Sequence, residues 1–178
     1  MDIRIRKKGW PVRAVAAFLL GNVLLLGGCK VKYSLSGASI PPEAKTVSIP
    51  YFPNSATMVA PILSATLTDA LQSRFTNQTR LVLVREDGDL SFEGEIVGYT
   101  STPTAVTAEE VATKNRLTIT VRVRVTNRIQ PEFNFDRTFS QFEDYDSDVM
   151  LQSVEGTLIP LIVEKLVEDI FNAAVSNW

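Results

Sequence analysis

The stretch from Asn115 to Asn127 restricts the possible folds of this chain more than any other. Leu117, Ile119, Val121, Val123 and Val125 alternate with Thr118, Thr120, Arg122, Arg124 and Thr126. A period of two held this long sorts the two sets onto opposite faces of a pleated strand, whereas a helix would mix them around its circumference. One face is apolar and the other is hydroxyl-bearing or charged. The segment therefore predicts a strand of an antiparallel sheet with one face on a core and one toward water.

The other elements are read outward from that strand. Lys45 to Phe52 alternates Val47, Ile49 and Tyr51 with Thr46, Ser48 and Pro50, a strand pattern whose proline suits an edge or an end. Residues 57–77 carry Val59, Leu63, Leu67, Leu71 and Phe75 at every fourth place and predict a helix, with Thr57 as a candidate cap. Arg80 to Arg85 reads as a short strand, and Asp87-Gly88 as a turn. Leu90 to Tyr99 alternates again, with Leu90, Phe92, Gly94 and Ile96 on one face and Ser91, Glu93, Glu95, Val97 and Tyr99 on the other. Residues 101–114 read as a loop, and Phe135 to Tyr145 as a further strand of mixed periodicity. From about Asp148 to Trp178 a broad apolar stripe predicts a helix, with Gly156 and Pro160 expected to kink or break its first half. The order is β-α-β-β-β-β-α. It predicts an α+β fold with two helices packed on one face of a four- to five-stranded, mixed but mostly antiparallel sheet.

The N-terminus follows a different logic. Arg4, Arg6, Lys7, Lys8 and Arg13 precede an apolar run from Ala14 to Leu26 that is interrupted by Gly21 and Asn22. A basic start, a short apolar run and small residues make the pattern of a secretory signal, and the run is shorter than the roughly 20 residues of a spanning helix. Leu26-Gly27-Gly28-Cys29 then resembles the bacterial lipobox. That resemblance implies cleavage after Gly28 and acylation of Cys29, and several acyl chains on one residue would hold the domain on a bilayer. Lys30, rather than aspartate, follows the cysteine, which under the enterobacterial sorting rule favours the outer membrane. The expected organisation is a signal peptide over 1–28, a lipidated tether over 29–44 and one folded domain over 45–178. The signal holds five basic residues and one acidic residue. What remains has 13 and 19, a net charge of about −6, unsuited to generic nucleic-acid binding.

Composition removes much catalytic chemistry. The chain has no histidine and one cysteine, so the usual Cys/His metal sites and Ser–His or Cys–His catalysis are excluded. Asp144, Asp146 and Asp148 have the spacing of a calcium loop, with Glu155 at its twelfth place. Val149 stands where the loop needs glycine, so acidic residues at a strand end and a helix start are the simpler account. No catalytic residue, metal ligand or cofactor is expected. Glu93 and Glu95 can form cross-strand ion pairs with Arg122 and Arg124. A sharper reading makes Lys114, Arg116, Arg122 and Arg124 a basic strip for an anionic lipid headgroup, since guanidinium groups fit phosphate through forked hydrogen bonds.

Taken together, the lipobox, "GASIPPEAKTVSIPYFPN" (37–54), "GDLSFEGEIVGYTSTPTAV" (88–106), "NRLTITVRVRVTN" (115–127) and "VEDIFNAAVSNW" (167–178) resemble the lipopolysaccharide-assembly lipoprotein family LptE. The resemblance spans nearly all of the chain after Cys29. It implies a non-enzymatic lipoprotein that sits as a plug in the outer-membrane β-barrel LptD, helps it fold, and helps deliver lipopolysaccharide to the cell surface. The lipidated domain would then lie inside the barrel lumen or face the periplasm. The basic strip of Lys114, Arg116, Arg122 and Arg124, read from the strand pattern and not carried over from the family, is the hypothesis for lipopolysaccharide contact. The rival readings are a pilotin-like lipoprotein that scaffolds another envelope machine and, less consistent with the composition, a lipid-anchored hydrolase.

Overall fold

The computed structural model of the chain describes residues 40–104 and 114–175. The signal, Cys29 and the tether as far as residue 39 lie outside the described residues, as do 105–113 and 176–178. The elements are β1 (Thr46–Ser48), α1 (Leu63–Gln78), β2 (Val82–Val84), β3 (Leu90–Pro103), β4 (Lys114–Asn127), a short 3-10 turn (Pro131–Phe133), β5 (Phe135–Asp146) and α2 (Leu151–Val175). They form one five-stranded sheet in the order β2-β1-β3-β4-β5. β1 is parallel to both β2 and β3, while β3–β4 and β4–β5 are antiparallel. The order of elements, the two helices and the mixed sheet are those the sequence predicts.

The alternation in β4 explains where the core lies. Leu117, Ile119, Val121, Val123 and Val125 are buried beneath the helices. Phe75 of α1 joins the layers, its ring 4.7 Å from Phe92 of β3 and 5.0 Å from Phe171 of α2. Tilted aromatic contacts of this kind add about 0.5–1.5 kcal/mol each beyond the area they bury.

Three departures from the sequence reading have local causes. First, α1 starts at Leu63, not near Thr57, and Val59 and Ile62 of the expected stripe are exposed. Pro61 has no N–H to give and disfavours helical geometry at Ala60, so the helix begins beyond it. Second, the β1 ladder covers only 46–48 of the expected 45–52, because Pro50 and Pro53 cannot donate to a ladder. Side chains of α1 take over: Gln72 donates to the Ile49 carbonyl at 2.8 Å, and Phe52 N–H donates to Thr68 Oγ1 at 3.1 Å. Third, Tyr99 is on the core face, not with Glu93 and Glu95. A register shift between Ile96 and Gly98 adds a residue to β3 and exchanges the faces beyond it. Tyr99 is 2% exposed and donates a hydrogen bond to Glu155 of α2 at 2.6 Å. Burial first, and then the Glu155 carboxylate, push the Tyr99 pKa far above the usual phenol value.

The last helix runs unbroken from Leu151 to Val175 with Pro160 inside it, so the expected break does not occur. Pro160 and Gly156, the residue whose carbonyl loses its partner, are both exposed, and water can take that hydrogen bond. β3 and β4 also reach into the expected 101–114 loop, to Pro103 and back to Lys114.

Candidate functional site on the outer sheet face

The face of the sheet turned away from the helices is polar by the same alternation that builds the core. Register places Glu93 opposite Arg124 and Glu95 opposite Arg122 on β3 and β4. Across the next ladder, Arg124 faces Asp136, Arg116 faces Asp144 and Lys114 faces Asp146. The four residues expected to form a basic strip, Lys114, Arg116, Arg122 and Arg124, therefore do share one face of one strand. Between Arg116 and Arg122 lie Thr118 and Thr120, and Thr120 shares a hydroxyl hydrogen bond of 3.0 Å with Ser140.

The arginines are not free. Arg116 grips Asp144 with two hydrogen bonds of 2.8 and 3.0 Å, and Arg122 grips Asp136 with two of 2.9 Å. Arg124 adds a bond to Asp136 at 3.1 Å and lies 3.9 Å from Glu93. The Arg116 guanidinium also covers the Phe142 ring at 3.7 Å. These forks hold the Asp136 carboxyl below the usual range, through Arg122 first and Arg124 second, and Arg116 does the same for Asp144. Asp144 and Glu155, two residues of the calcium-like spacing, are thus engaged by Arg116 and Tyr99. No group of acidic, cysteine or histidine side chains able to hold a metal occurs among the described residues.

The expected partnership of Glu95 with Arg122 gives way to another. Ser55 donates to Glu95 at 2.8 Å, while Arg122 turns toward β5. Asp136 and Asp144 are the partners that sequence reasoning missed. In the β4–β5 hairpin, paired positions sum to 260, which couples 116 with 144 and 124 with 136. The mixed periodicity of β5 hid this signal. Between the paired charges lies a shallow hollow of about 290 Å³, lined by Pro53, Glu93, Gly94, Glu95, Arg122, Arg124 and Asp136. Gly94 contributes backbone to its floor, and on the core side a Cβ there would collide with the Phe52 ring and the Arg122 carbonyl oxygen.

An α+β domain with helices on one side and an ion-paired, hydroxyl-rich sheet on the other presents a surface for a polar partner. Comparison with known proteins gives this class its family. The family model LptE, described as lipopolysaccharide-assembly, matches residues 44–174, and the chain belongs to that family. It is thereby a lipoprotein-family domain with a role in lipopolysaccharide assembly. No curated protein matches the sequence closely enough to add to this.

Among solved structures, uncharacterized lipoprotein B from Nitrosomonas europaea overlaps with a TM-score of 0.51 at 12% identity, covering 81% of this chain and 88% of its own. The minor lipoprotein from Acinetobacter baumannii gives 0.46 at 17% identity, covering 71% and 94%. Rare lipoprotein B from Shewanella oneidensis gives 0.43 at 12%, covering 72% and 90%. At these identities the likeness concerns fold alone, and the Nitrosomonas overlap is the one of these close enough to carry it.

Proposed function

We propose that this chain is an outer-membrane lipoprotein, anchored through Cys29, whose domain plugs the LptD β-barrel and supports lipopolysaccharide delivery to the cell surface. Family membership over residues 44–174 is the observation that carries this reading. The outer sheet face is compatible with it. Lys114, Arg116, Arg122 and Arg124 lie among Glu93, Glu95, Asp136, Asp144 and Asp146, so the face is polar yet close to neutral. Such a surface suits the wet interior of a large barrel, which is itself polar.

The four basic residues are the proposed lipopolysaccharide contact, and they work by exchange. A phosphate reaching Arg116 or Arg122 must displace Asp144 or Asp136 from the guanidinium fork. Solvent screens such exposed pairs, so exchange is salt-sensitive. Contact of this sort is reversible, as a protein that passes lipid onward requires. The signal over 1–28 and the tether over 29–44 complete the proposal by delivering the domain to the membrane. Co-isolation of a β-barrel with the membrane-extracted lipoprotein tests the reading.

A further inference from the structure

The two edges of the sheet differ. β2 is three residues long, a short edge of the kind that discourages further pairing. β5 is a 12-residue edge with no proline, no glycine and no register shift against β4. Its outer row of backbone N–H and C=O groups is a template for another strand.

Arg137 and Glu143 lie on the helix-side face of this edge, as the register with Val123 and Leu117 shows. Inward-pointing charges normally protect an edge against indiscriminate strands. Glu143 has a partner, Lys165 of α2, at 2.7 Å. Arg137 is exposed and lies 5.2 Å over the Phe135 ring, with no carboxylate in ion-pair range among the described residues. The two charges are six residues apart. In antiparallel self-pairing they come opposite one another only when the two-fold axis passes at Ser140.

We propose that the free lipoprotein forms a two-fold dimer in which the β5 strands of two copies pair antiparallel about Ser140. In that register Arg137 meets the partner copy's Glu143 on the helix side, twice, once on each side of the axis. Phe135 falls opposite Tyr145, and Phe139 opposite Gln141, so aromatic and polar side chains pair across the seam. Asp136 falls opposite Asp144 on the outer face, where each carboxylate is already held by an arginine fork of its own chain. Leu161 also favours the arrangement. It is 45% exposed and lies one helical turn before Lys165, on the flank of α2 that leans over the β5 edge. Other registers leave Arg137 without a carboxylate, so the charges that repel a generic strand admit a second copy of this one. The dimer is independent of the plug reading and concerns the lipoprotein when no barrel encloses it.

The test uses the mature lipoprotein in mild detergent. Sedimentation of the unsubstituted chain is expected to show a dimer that dissociates on dilution. Ser140→Cys is expected to give a covalent dimer on mild oxidation, whereas Thr138→Cys, whose counterpart is Phe142, is not. Arg137→Glu and Glu143→Arg each place like charges at both contacts and are expected to sediment as monomers. Mixed together they restore both opposite-charge contacts and are expected to recover the dimer. A monomeric parent chain, absence of the Ser140→Cys crosslink, equal crosslinking at 138, or failure of the mixture to associate would each overturn the proposal.

Discussion

Arg122 holds Asp136 through two hydrogen bonds of 2.9 Å, so this arginine meets any incoming anion already paired. The outer face of β4 is therefore a ladder of ion pairs rather than a bare basic strip. That distinction gives opposite expectations for substituting the bases and the acids.

Reversing charge at Arg122 and Arg124 together is expected to weaken binding of purified lipopolysaccharide without changing circular dichroism. Asp136→Asn and Asp144→Asn are expected to strengthen it by about two- to fivefold each, the equilibrium equivalent of releasing an exposed ion pair. Titration with fluorescent lipopolysaccharide at two salt concentrations reads both effects. Unaltered affinity in all four substitutions would remove the ladder from the account.

Acid should loosen the fold through three aspartates. Asp89 accepts the Lys45 N–H at 2.8 Å, the Thr46 hydroxyl at 2.9 Å and the Thr46 N–H at 3.0 Å, and these bonds lower its pKa, as the arginine forks do for Asp136 and Asp144. A carboxyl whose native pKa lies below its unfolded value stabilises fully above the unfolded value, about 3.9, and loses that contribution as pH falls through the native one. The urea midpoint is thus expected to drop as pH falls below about 4.5. Asp89→Asn should make the drop shallower, and an unchanged slope would contradict this origin.

Gly94→Ala should destabilise, although alanine normally improves on glycine within a strand. The added methyl meets the Phe52 ring and the Arg122 carbonyl, the second of which is backbone and cannot rotate away. Overpacking of this kind costs about 1–3 kcal/mol, readable as a lower urea midpoint at unchanged slope. Gly156→Ala is the control: a Cβ there meets nothing within 4 Å, and in a helix it should be neutral or stabilising.

On the proposed lipidation, Cys29→Ser removes the thiol that would carry the anchor. The variant is expected to accumulate unprocessed or away from the outer membrane. Mass spectrometry of the fractionated protein checks this, and recovery at the parent's mass in the outer membrane would contradict lipidation at Cys29.

Where one residue's neighbours alone decide its face, the sequence is a sufficient guide. The 117–125 alternation and the Leu63–Leu67–Leu71–Phe75 stripe both appear in the structure as read. The reading fails where a single residue changes the phase or blocks a donor. An extra residue in β3 turns Tyr99 inward, and Pro61 delays α1, leaving Val59 and Ile62 outside. The basic residues of the site were visible as a face of β4. Their partners were not, because Asp136 and Asp144 join them only through the β4–β5 register, which a strand of mixed periodicity does not announce.

The proposed role of this member of the LptE family is that of a plug in a β-barrel. Gentle extraction of the tagged lipoprotein from membranes, followed by mass spectrometry and stoichiometry of what accompanies it, tests that role. A plug is expected to bring LptD with it in a one-to-one ratio. Recovery of the lipoprotein with a different envelope machine, and with no β-barrel, would contradict it.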